Sequence, residues 1–430
     1  MKMKRFMSFL AAGTVAIASI GLAGCSKEVP TDVNVIESKN DESVAEAEGV
    51  QPEEGAELLL WTDKLVYGEA IAEGFMALYP DVKVVAEEVG FTDARTKMEL
   101  DGPAGSGADV FMISHNRLVS ALAAGMVLKF EDSIAEQLRE ELSDVAISTA
   151  SSGGDLYGVP VSTEANCLFY NKDIVGDKPA ETFEEIFEFA REYNDVANNQ
   201  FGFMMDVANA YSSYGFLTAY GYELFGADGT DRDSNGLESE AFIKGLEFIQ
   251  SIREILPVQS QDLKGEFVNE QFKAGKTAYI MGGVWNIKDF TEAGVNFGVI
   301  QLPTIEGNDV IPFAGLKVAH VSAYSDYPIA SMLLAAYMVS EEGANILYET
   351  NYKPTARADI STIEGLVNDE SLYVFAQQFA NANPVPGIDR MDYYYSIVEK
   401  VMALVFDGQL EPEEAAQVGI DEWSSMIASE

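Results

Sequence analysis

Short apolar segments alternate with amphipathic segments along most of the chain, and this alternation restricts the fold more than any other feature. Residues 58–61 and 109–113 are typical of buried strands. Between them, Ile71 and Phe75 begin an apolar stripe at helical spacing that stops at Pro80. The same pattern resumes after residue 165, where Thr182 and Glu185 predict a capping box, followed by a helix with Phe183 and Ile186 on its apolar face. Strands that alternate with helices predict an α/β fold with a mostly parallel sheet and helices on both faces.

The first 25 residues have the pattern of an export signal. Basic residues within the first five positions precede an apolar stretch over residues 6–22, which ends in Leu-Ala-Gly-Cys at positions 22–25. We expect residues 1–24 to be a lipoprotein signal peptide and Cys25 to carry the lipid. The alternative is an ordinary secretory signal followed by an incidental cysteine. No later stretch of the sequence is long and apolar enough to span a bilayer.

The segment after the signal is acidic and has no aromatic residue. Residues 26–55 contain nine acidic residues and two lysines, a composition that cannot bury enough apolar surface to order itself. We therefore predict that residues 25–55 are the lipidated Cys25 and a disordered tether of roughly 30 Å. Removal of the signal lowers the net charge from −43 to −46. Such a charge argues against nucleic acid and against anionic lipid as partners, apart from the lipid on Cys25.

The cysteine count excludes a disulfide in the expected mature chain. Only Cys25 and Cys167 exist, and lipidation of Cys25 leaves Cys167 without a partner. The hydrophobic core must then hold the fold together, and the chain is long enough for two lobes.

Nothing in the sequence matches a catalytic or cofactor-binding signature. His115 and His320 are the only histidines, and neither sits in a nucleophile motif or a metal cluster. The glycine-rich residues 102–107 lack the lysine of a phosphate-binding loop. We expect no enzyme, no cofactor and no metal. An exported glycosidase remains an alternative, because a chain with 70 acidic residues always offers carboxylate pairs.

An acidic turn over residues 231–236 (DRDSNG) opens like a calcium-binding loop. The twelfth position of the loop is Phe242, where a bidentate glutamate is needed. The motif fits an exposed turn before a helix, and a weak calcium site is the alternative.

Aromatic residues stand beside hydrogen-bonding residues at several predicted strand ends and loops, where ligands of open α/β sheets bind. Flat rings can stack on the C–H face of a pyranose while planar polar side chains pair with its hydroxyls. Each ring taken alone also fits a core position. The candidate ligand-binding residues are Trp61, Asp63, Lys64, Asn116, Arg117, Glu164, Tyr211, Tyr214, Trp285 and Tyr395.

An ordered set of motifs carries a family resemblance from about residue 58 onward. The set includes residues 60–64 (LWTDK), 157–160 (YGVP), 164–173, 272–278 (FKAGKTA) and 312–315 (PFAG). With these motifs the chain resembles the extracellular solute-binding proteins of carbohydrate ABC importers, and among them the maltose/maltodextrin-binding group. The resemblance implies a receptor that binds malto-oligosaccharides and delivers them to permease subunits. We expect a monomer. The lipid on Cys25 would hold it at the outer face of a cell membrane, of Gram-positive type, since a cell with no outer membrane needs such an anchor to retain its receptor.

The resemblance also implies a two-lobed, periplasmic-binding-protein-like fold with crossing hinge strands and a ligand cleft between the lobes. Lobe 1 would comprise residues 56–162 and 311–361, and lobe 2 residues 166–306 and 366–430.

Matched to the family motifs, Asp63, Lys64, Arg117 and Glu164 take the positions of polar ligand contacts, and Tyr211 that of a stacking tyrosine. Other candidates match less closely. Asn116 replaces an aspartate, Tyr395 replaces a stacking tryptophan, and Trp285 is displaced by one position or by a bulge. Tyr214 lies near Tyr211. For Trp61, the match leaves open whether it touches ligand or only supports the site. These departures favour altered subsites and leave a different oligosaccharide as the alternative ligand.

Overall fold

The structure, a computed structural model, describes residues 49–430. The predicted signal peptide, Cys25 and nearly all of the predicted tether lie outside the described residues. Within the described range, no helix combines the length and the hydropathy that crossing a membrane requires.

Strands and helices alternate through the first two thirds of the described chain, and helices dominate after residue 325. The strands are β1 Glu57–Thr62, β2 Lys83–Glu88, β3 Val110–Ser114, β4 Ser151–Ser152, β5 Asp155–Leu156, β6 Val159–Asn171, β7 Phe201–Met204, β8 Thr277–Gly283, β9 Phe297–Ile300, β10 Phe313–Val321 and β11 Asn383–Pro384. The helices are α1 Leu65–Leu78, α2 Phe91–Asp101, α3 Leu118–Ala123, α4 Asp132–Glu141, α5 Asp144–Thr149, α6 Lys172–Val175, α7 Phe183–Tyr193, α8 Ala210–Thr218, α9 Glu240–Ile252, α10 Gly265–Lys273, α11 Ile287–Glu292, α12 Pro328–Tyr337, α13 Glu341–Asn351, α14 Glu364–Asn368, α15 Glu370–Ala380, α16 Met391–Phe406 and α17 Pro412–Ile427.

Local sequence signals explain where α7 begins and which face it buries. Thr182 caps the helix, and its Oγ accepts a hydrogen bond from the backbone N–H of Glu185 at 3.2 Å. The Glu185 carboxylate accepts from the N–H of Glu181 rather than from that of Thr182, so the predicted capping box is shifted by one residue. Phe183 and Ile186 are fully buried on the predicted apolar face.

The main sheet has the order β2-β1-β3-β10-β6-β8-β7, with β11 beside β10 and β9 beside β6. β1 pairs in parallel with β2 and β3, and β7 pairs in parallel with β8. In contrast, β10 runs antiparallel to β3 and β6, and β6 runs antiparallel to β8 and β9. The prediction of a mostly parallel sheet is therefore wrong. The sheet is mixed, because the chain returns at β10 to insert between β3 and β6.

β6 is shared by two hydrophobic cores. Its residues 159–165 pair with β10, and its residues 166–170 pair with β8. One large core cluster includes side chains of β1, β2, α1 and α12 together with the start of β6. Another includes the end of β6 with β7, β8, α7, α9 and α16. A strand that leaves one core and enters the other brings two packed halves together along its length.

Candidate functional site

A group of polar and aromatic side chains around β6 encloses a cavity of about 430 Å³. It opens where α2, the turn after β3, the middle of β6 and β10, and the first turns of α8 and α16 meet. The lining residues are Phe91, Thr92, Arg95, Thr96, Ser114, His115, Asn116, Arg117, Glu164, Tyr211, Gly315, Lys317, Val385, Asp392 and Tyr395.

An ion pair forms part of the cavity wall. Lys317 Nζ lies 2.7 Å from Glu164 Oε1 and donates a second hydrogen bond to Ser114 Oγ at 3.1 Å. Gly315 stands opposite Glu164 in the sheet, and a Cβ there would lie 2.6 Å from the Glu164 carboxylate. The glycine therefore makes room for the carboxylate beside the cavity. Both charged side chains are about 15% exposed, so each depends on the other for compensation.

A second ion pair joins the two sides of the cavity. Arg117 in the turn after β3 donates two hydrogen bonds to the carboxylate of Asp392 in α16, at 3.3 and 3.4 Å. This two-pronged geometry suits a guanidinium and a carboxylate. The two pairs, Lys317 with Glu164 and Arg117 with Asp392, leave these parts of the lining neutral.

Aromatic rings supply the apolar part of the lining. Phe91 opens α2, and its ring centre lies 5.1 Å from Lys317 Nζ and 4.8 Å from Lys353 Nζ, within cation–π range. Tyr211 in α8 and Tyr395 in α16 face the cavity from the other side. Burial raises the pKa of both tyrosines, so both hydroxyls stay neutral hydrogen-bonding groups.

His115 lies in the cavity wall, and both of its ring nitrogens form hydrogen bonds with backbone groups. Its Nε2–H donates to the carbonyl of Val385 at 2.9 Å, and its Nδ1 accepts from the N–H of Leu316 at 3.2 Å. Burial lowers the pKa of His115 to about 4. The ring is therefore neutral at physiological pH and acts as a connector between β3, β10 and the segment before α16.

Half of the candidate ligand-binding residues meet at this cavity. Asn116, Arg117 and Glu164 line it from the turn after β3 and from β6, and Tyr211 and Tyr395 line it from the two helices. The rule that ligands bind beyond strand ends accounts for the first two residues.

Trp61 and Tyr214 are buried and do not line this cavity. Trp61 Nε1 donates to Glu87 at 3.0 Å, and the ammonium of Lys97 lies 4.1 Å from its ring centre. Lys97 belongs to α2, so Trp61 supports a helix that lines the cavity. Tyr214 stacks on Phe313 with 3.5 Å between ring centres.

Asp63, Lys64 and Trp285 also lie outside the lining. Both carboxylate oxygens of Asp63 are engaged, one by Lys353 Nζ at 2.8 Å and the other by Asn351 Nδ2 at 3.0 Å. Lys64 is exposed just before α1. Trp285 is 46% exposed in the turn after β8, and its ring lies over Gly283. In this conformation these three residues can reach a ligand only beyond the limits of the cavity.

Three lining residues with direct roles were missed by the sequence analysis, namely Phe91, Lys317 and Asp392. Each of them had a usable signal. Lys317 follows the family motif at residues 312–315 by two positions, which places it on the same face of β10 as Gly315. Asp392 directly precedes the run of tyrosines at residues 393–395. Phe91 follows Gly90 at a strand end, a position that favours ligand contacts.

The acidic turn at residues 231–236 is held by arginines. Arg390 donates to Asp233 at 2.8 Å, and Arg232 pairs with Asp389 and Glu430. Among residues 49–430, no group of three or more Asp, Glu, His or Cys residues has an arrangement that suits a metal ion.

The lining chemistry suits a neutral ligand with many hydroxyls. Donors and acceptors are both present, in Arg117 and Lys317 and in Glu164 and Asp392, and the charges of these pairs cancel. Three aromatic rings offer flat apolar faces. Such a combination binds a polar, uncharged molecule that has C–H faces.

Comparison with known proteins places the chain in a family. The model of the family described as bacterial extracellular solute-binding protein matches residues 70–372. The chain belongs to this family. It is a family that binds solutes, rather than an enzyme family, and its members are extracellular.

Several similar proteins are named for the oligosaccharides that they bind. The maltooligosaccharide ABC transporter solute-binding lipoprotein of Streptococcus pneumoniae strain R6 is 28% identical over 97% of this chain and 96% of its own length. The galactooligosaccharide-binding protein of Bacillus subtilis is 28% identical over 84% of this chain and 87% of its own length. The crystal structure of a cyclo/maltodextrin-binding protein with maltotetraose is similar with a TM-score of 0.78 and 30% identity, over 86% of this chain and 97% of that one. The described fold is thus the two-lobed fold of the maltose-binding proteins.

Proposed function

We propose that this solute-binding protein captures malto-oligosaccharides in the cavity around β6 and delivers them to the permease of an ABC importer. The observation that carries the proposal is a lining whose three cations, Arg95, Arg117 and Lys317, are each paired with a carboxylate, together with three aromatic rings. Similar proteins named for maltooligosaccharides, and a similar structure with maltotetraose, support it.

Binding would proceed by closure of two lobes, residues 56–162 with 311–361 and residues 166–306 with 366–430. The two cores that share β6 support this division. A ligand that touches Glu164 or Arg117 on one side and Tyr395 or Tyr211 on the other adds contacts only when the lobes approach. Closure is then favoured by the bound ligand.

Cys25 would carry the lipid that keeps the receptor at the outer face of a membrane, close to its permease. The pneumococcal relative is named a lipoprotein, and the leader of this chain ends in Leu-Ala-Gly-Cys. An anchor of this kind suits a Gram-positive type of cell, since such a cell has no outer membrane to retain a receptor. We propose that the receptor acts as a monomer and performs no chemistry on the sugar.

A second candidate ligand is a galactooligosaccharide. The relative from Bacillus subtilis that is named for this sugar has the same 28% identity as the pneumococcal one. The lining would accept either sugar as a neutral polyol, and the two differ in which hydroxyls they present.

Isothermal titration calorimetry with maltose, maltotriose, maltotetraose and a β-galactooligosaccharide decides between the two ligands. We expect heat with the malto-series. Heat with the galactooligosaccharide alone would contradict the proposed ligand and retain the receptor class. If none of the sugars gives binding heat, both proposed ligands are wrong.

Incubation with maltoheptaose, followed by chromatography, should show an unchanged chain length, whereas shorter products would identify a glycosidase.

Replacing Tyr395 by alanine should weaken maltotetraose binding by about 10- to 100-fold, because aromatic anchors in binding sites contribute on the order of 1–3 kcal/mol. Tyr393→Ala is the matched control within the same run of tyrosines. Tyr393 packs on Trp423 with 6.1 Å between ring centres and does not line the cavity. Equal affinities of the two variants in calorimetry would show that Tyr395 is a packing residue.

Ligand binding should protect Trp285 from acrylamide quenching. The chain has three tryptophans, and Trp61 and Trp423 are buried, so Trp285 is the one that acrylamide reaches. Lobe closure over a sugar would cover its indole. The fluorescence quenching constant should fall when maltotetraose is added, and Trp285→Phe should remove the response. Quenching that is the same with and without bound sugar would show that Trp285 lies outside the closing surfaces.

A further inference from the structure

Asn166 has an unpaired amide in the middle of β6. Its side chain is 1% exposed, and neither Oδ1 nor Nδ2 has a hydrogen-bond partner among residues 49–430. Buried polar groups nearly always have partners in native proteins, because an unmade hydrogen bond retains the full cost of desolvation. A side chain with both a donor and an acceptor unpaired therefore points to a role outside folding.

The position of Asn166 places its amide next to the cavity side of the sheet. It lies two residues after Glu164 on the same strand, so the two side chains leave β6 on the same face. Asn166 stands directly opposite Gly283 on β8. A Cβ at Gly283 would lie 2.1 Å from the indole of Trp285, so the indole covers this glycine. Directly opposed residues of an antiparallel pair share a face, so Trp285 covers the face that carries Asn166.

A second unpaired polar group flanks the same part of β6. The hydroxyl of Tyr211 is buried without a hydrogen-bond partner in the described part of the chain, and the Tyr211 ring lines the cavity. This ring stacks on Phe313 with 6.0 Å between centres. Phe313 precedes Ala314, which pairs with Ala165, the residue before Asn166. Of the two unpaired groups, one thus lies on β6 and the other on α8, which packs against the adjoining strand β10 beside the same cavity.

We propose that Asn166 is a specificity-determining ligand residue, whose amide pairs with sugar hydroxyls on the face of β6 that Trp285 covers in this structure. In this conformation the indole lies over Gly283, opposite Asn166, and the sugar takes the place of the indole when it binds. An asparagine amide offers two N–H donors and one oxygen acceptor, and each sugar hydroxyl can donate and accept. This inference rests on the proposed function, because it takes the ligand to be a neutral oligosaccharide.

The pairing would select among sugars by the position of a hydroxyl. A site built to hydrogen-bond one hydroxyl rejects analogues that lack it, since the buried amide then stays unpaired. Asn166 would therefore contribute to discrimination between malto- and galactooligosaccharides, beyond what the rings provide.

The test is Asn166→Leu, which keeps the branched shape of the side chain and removes its polar atoms. The thermal midpoint without sugar should stay the same or rise, because an unpaired amide is removed, while maltotetraose binding by calorimetry should weaken about tenfold. Asn166→Ala removes the amide without added bulk and gives the same comparison if leucine does not fit.

Asn194 provides the matched control. Its Nδ2 donates to the carbonyl of Ile255 at 2.6 Å, and its Oδ1 accepts from the N–H of Gly202 at 2.7 Å. Asn194→Leu should therefore lower the thermal midpoint and leave affinity unchanged.

Unchanged affinity of Asn166→Leu would overturn the assignment of Asn166 and remove it from the site. A lower midpoint in the same variant would then make Asn166 a structural residue like Asn194. A wild-type protein that binds none of the oligosaccharides would overturn the proposed function itself, and this inference with it. The two failures are thus distinguishable in one set of titrations.

Discussion

Replacing Glu164 by leucine is expected to lower the free energy of unfolding by about 3 kcal/mol. Removing one partner of a poorly solvated ion pair leaves the charge of the other without compensation. The Lys317 ammonium, 2.7 Å from the carboxylate in the wild type, would keep only Ser114 as a hydrogen-bond partner. Its side chain is 14% exposed, so water cannot fully replace the lost anion. Urea denaturation followed by circular dichroism measures the loss, and urea leaves the ionic strength unchanged.

A double variant separates the ion pair from simple packing. Glu164→Leu combined with Lys317→Met should recover most of the stability lost in the single variant, because no uncompensated charge remains. The exposed pair of Glu57 with Lys83 gives a comparison, and Glu57→Leu should have little effect. If the double variant is no more stable than Glu164→Leu, the loss comes from packing and the account of the ion pair is wrong.

Stability should fall steeply as the pH drops from 6.5 towards 4, because both histidines are buried in the neutral form. Burial lowers the pKa of His115 and of His320 to about 4, against an ordinary value of 6.5. The unfolded chain therefore binds two protons that the folded chain does not. The contribution of each histidine is complete above pH 6.5 and is lost as the pH falls through about 4, which amounts to about 3 kcal/mol each.

Charged neighbours act on only one of the two histidines. The Lys317 ammonium lowers the pKa of His115 further, and the Glu164 carboxylate opposes it. His320 donates through Nδ1 to the carbonyl of Tyr157, a bond that raises its pKa but does not offset burial. Asp206 and Glu399 have the opposite sign, because burial raises their pKa and they favour the folded state as the pH falls.

Urea titrations at pH 7.5, 6.5, 5.5 and 4.5 measure this dependence. His320→Gln should halve the slope of unfolding free energy against pH between 6.5 and 5, where ordinary carboxylates remain ionised. His320 is the better of the two to replace, since His115 lines the cavity. A slope that is the same in the wild type and the variant would show that His320 takes up its proton in the folded state.

The local elements of the fold were accessible from the sequence. Thr182 marked the start of α7, and the helical spacing of Phe183 and Ile186 identified its buried face. The apolar stripe was read from Ile71, but the helix begins at Leu65. Tyr67, four residues before Ile71, is fully buried and extends the same stripe into the first turn.

The candidate site was only partly accessible, because a sequence pattern does not show which face of a buried element meets a cavity. Trp61 and Tyr214 have the residue type of ligand platforms, yet both point into the core. Lys317 reads as an exposed strand residue, yet it completes the wall of the cavity beside Glu164. The spacing of residues along a strand separates its side chains into two faces, but it does not show which face meets the cavity.

The sequence by itself determined the types of element, the absence of a disulfide within the described chain and the family resemblance, because these depend on neighbouring residues or on ordered motifs. Only the tertiary structure decided that β10 inserts antiparallel between β3 and β6, and that β6 serves two cores. It also placed Glu164 against Lys317, 153 residues away. Such pairings depend on the packing of the whole sheet, because strands distant in sequence can pair with the same neighbouring strand. No local sequence pattern predicts which of them does.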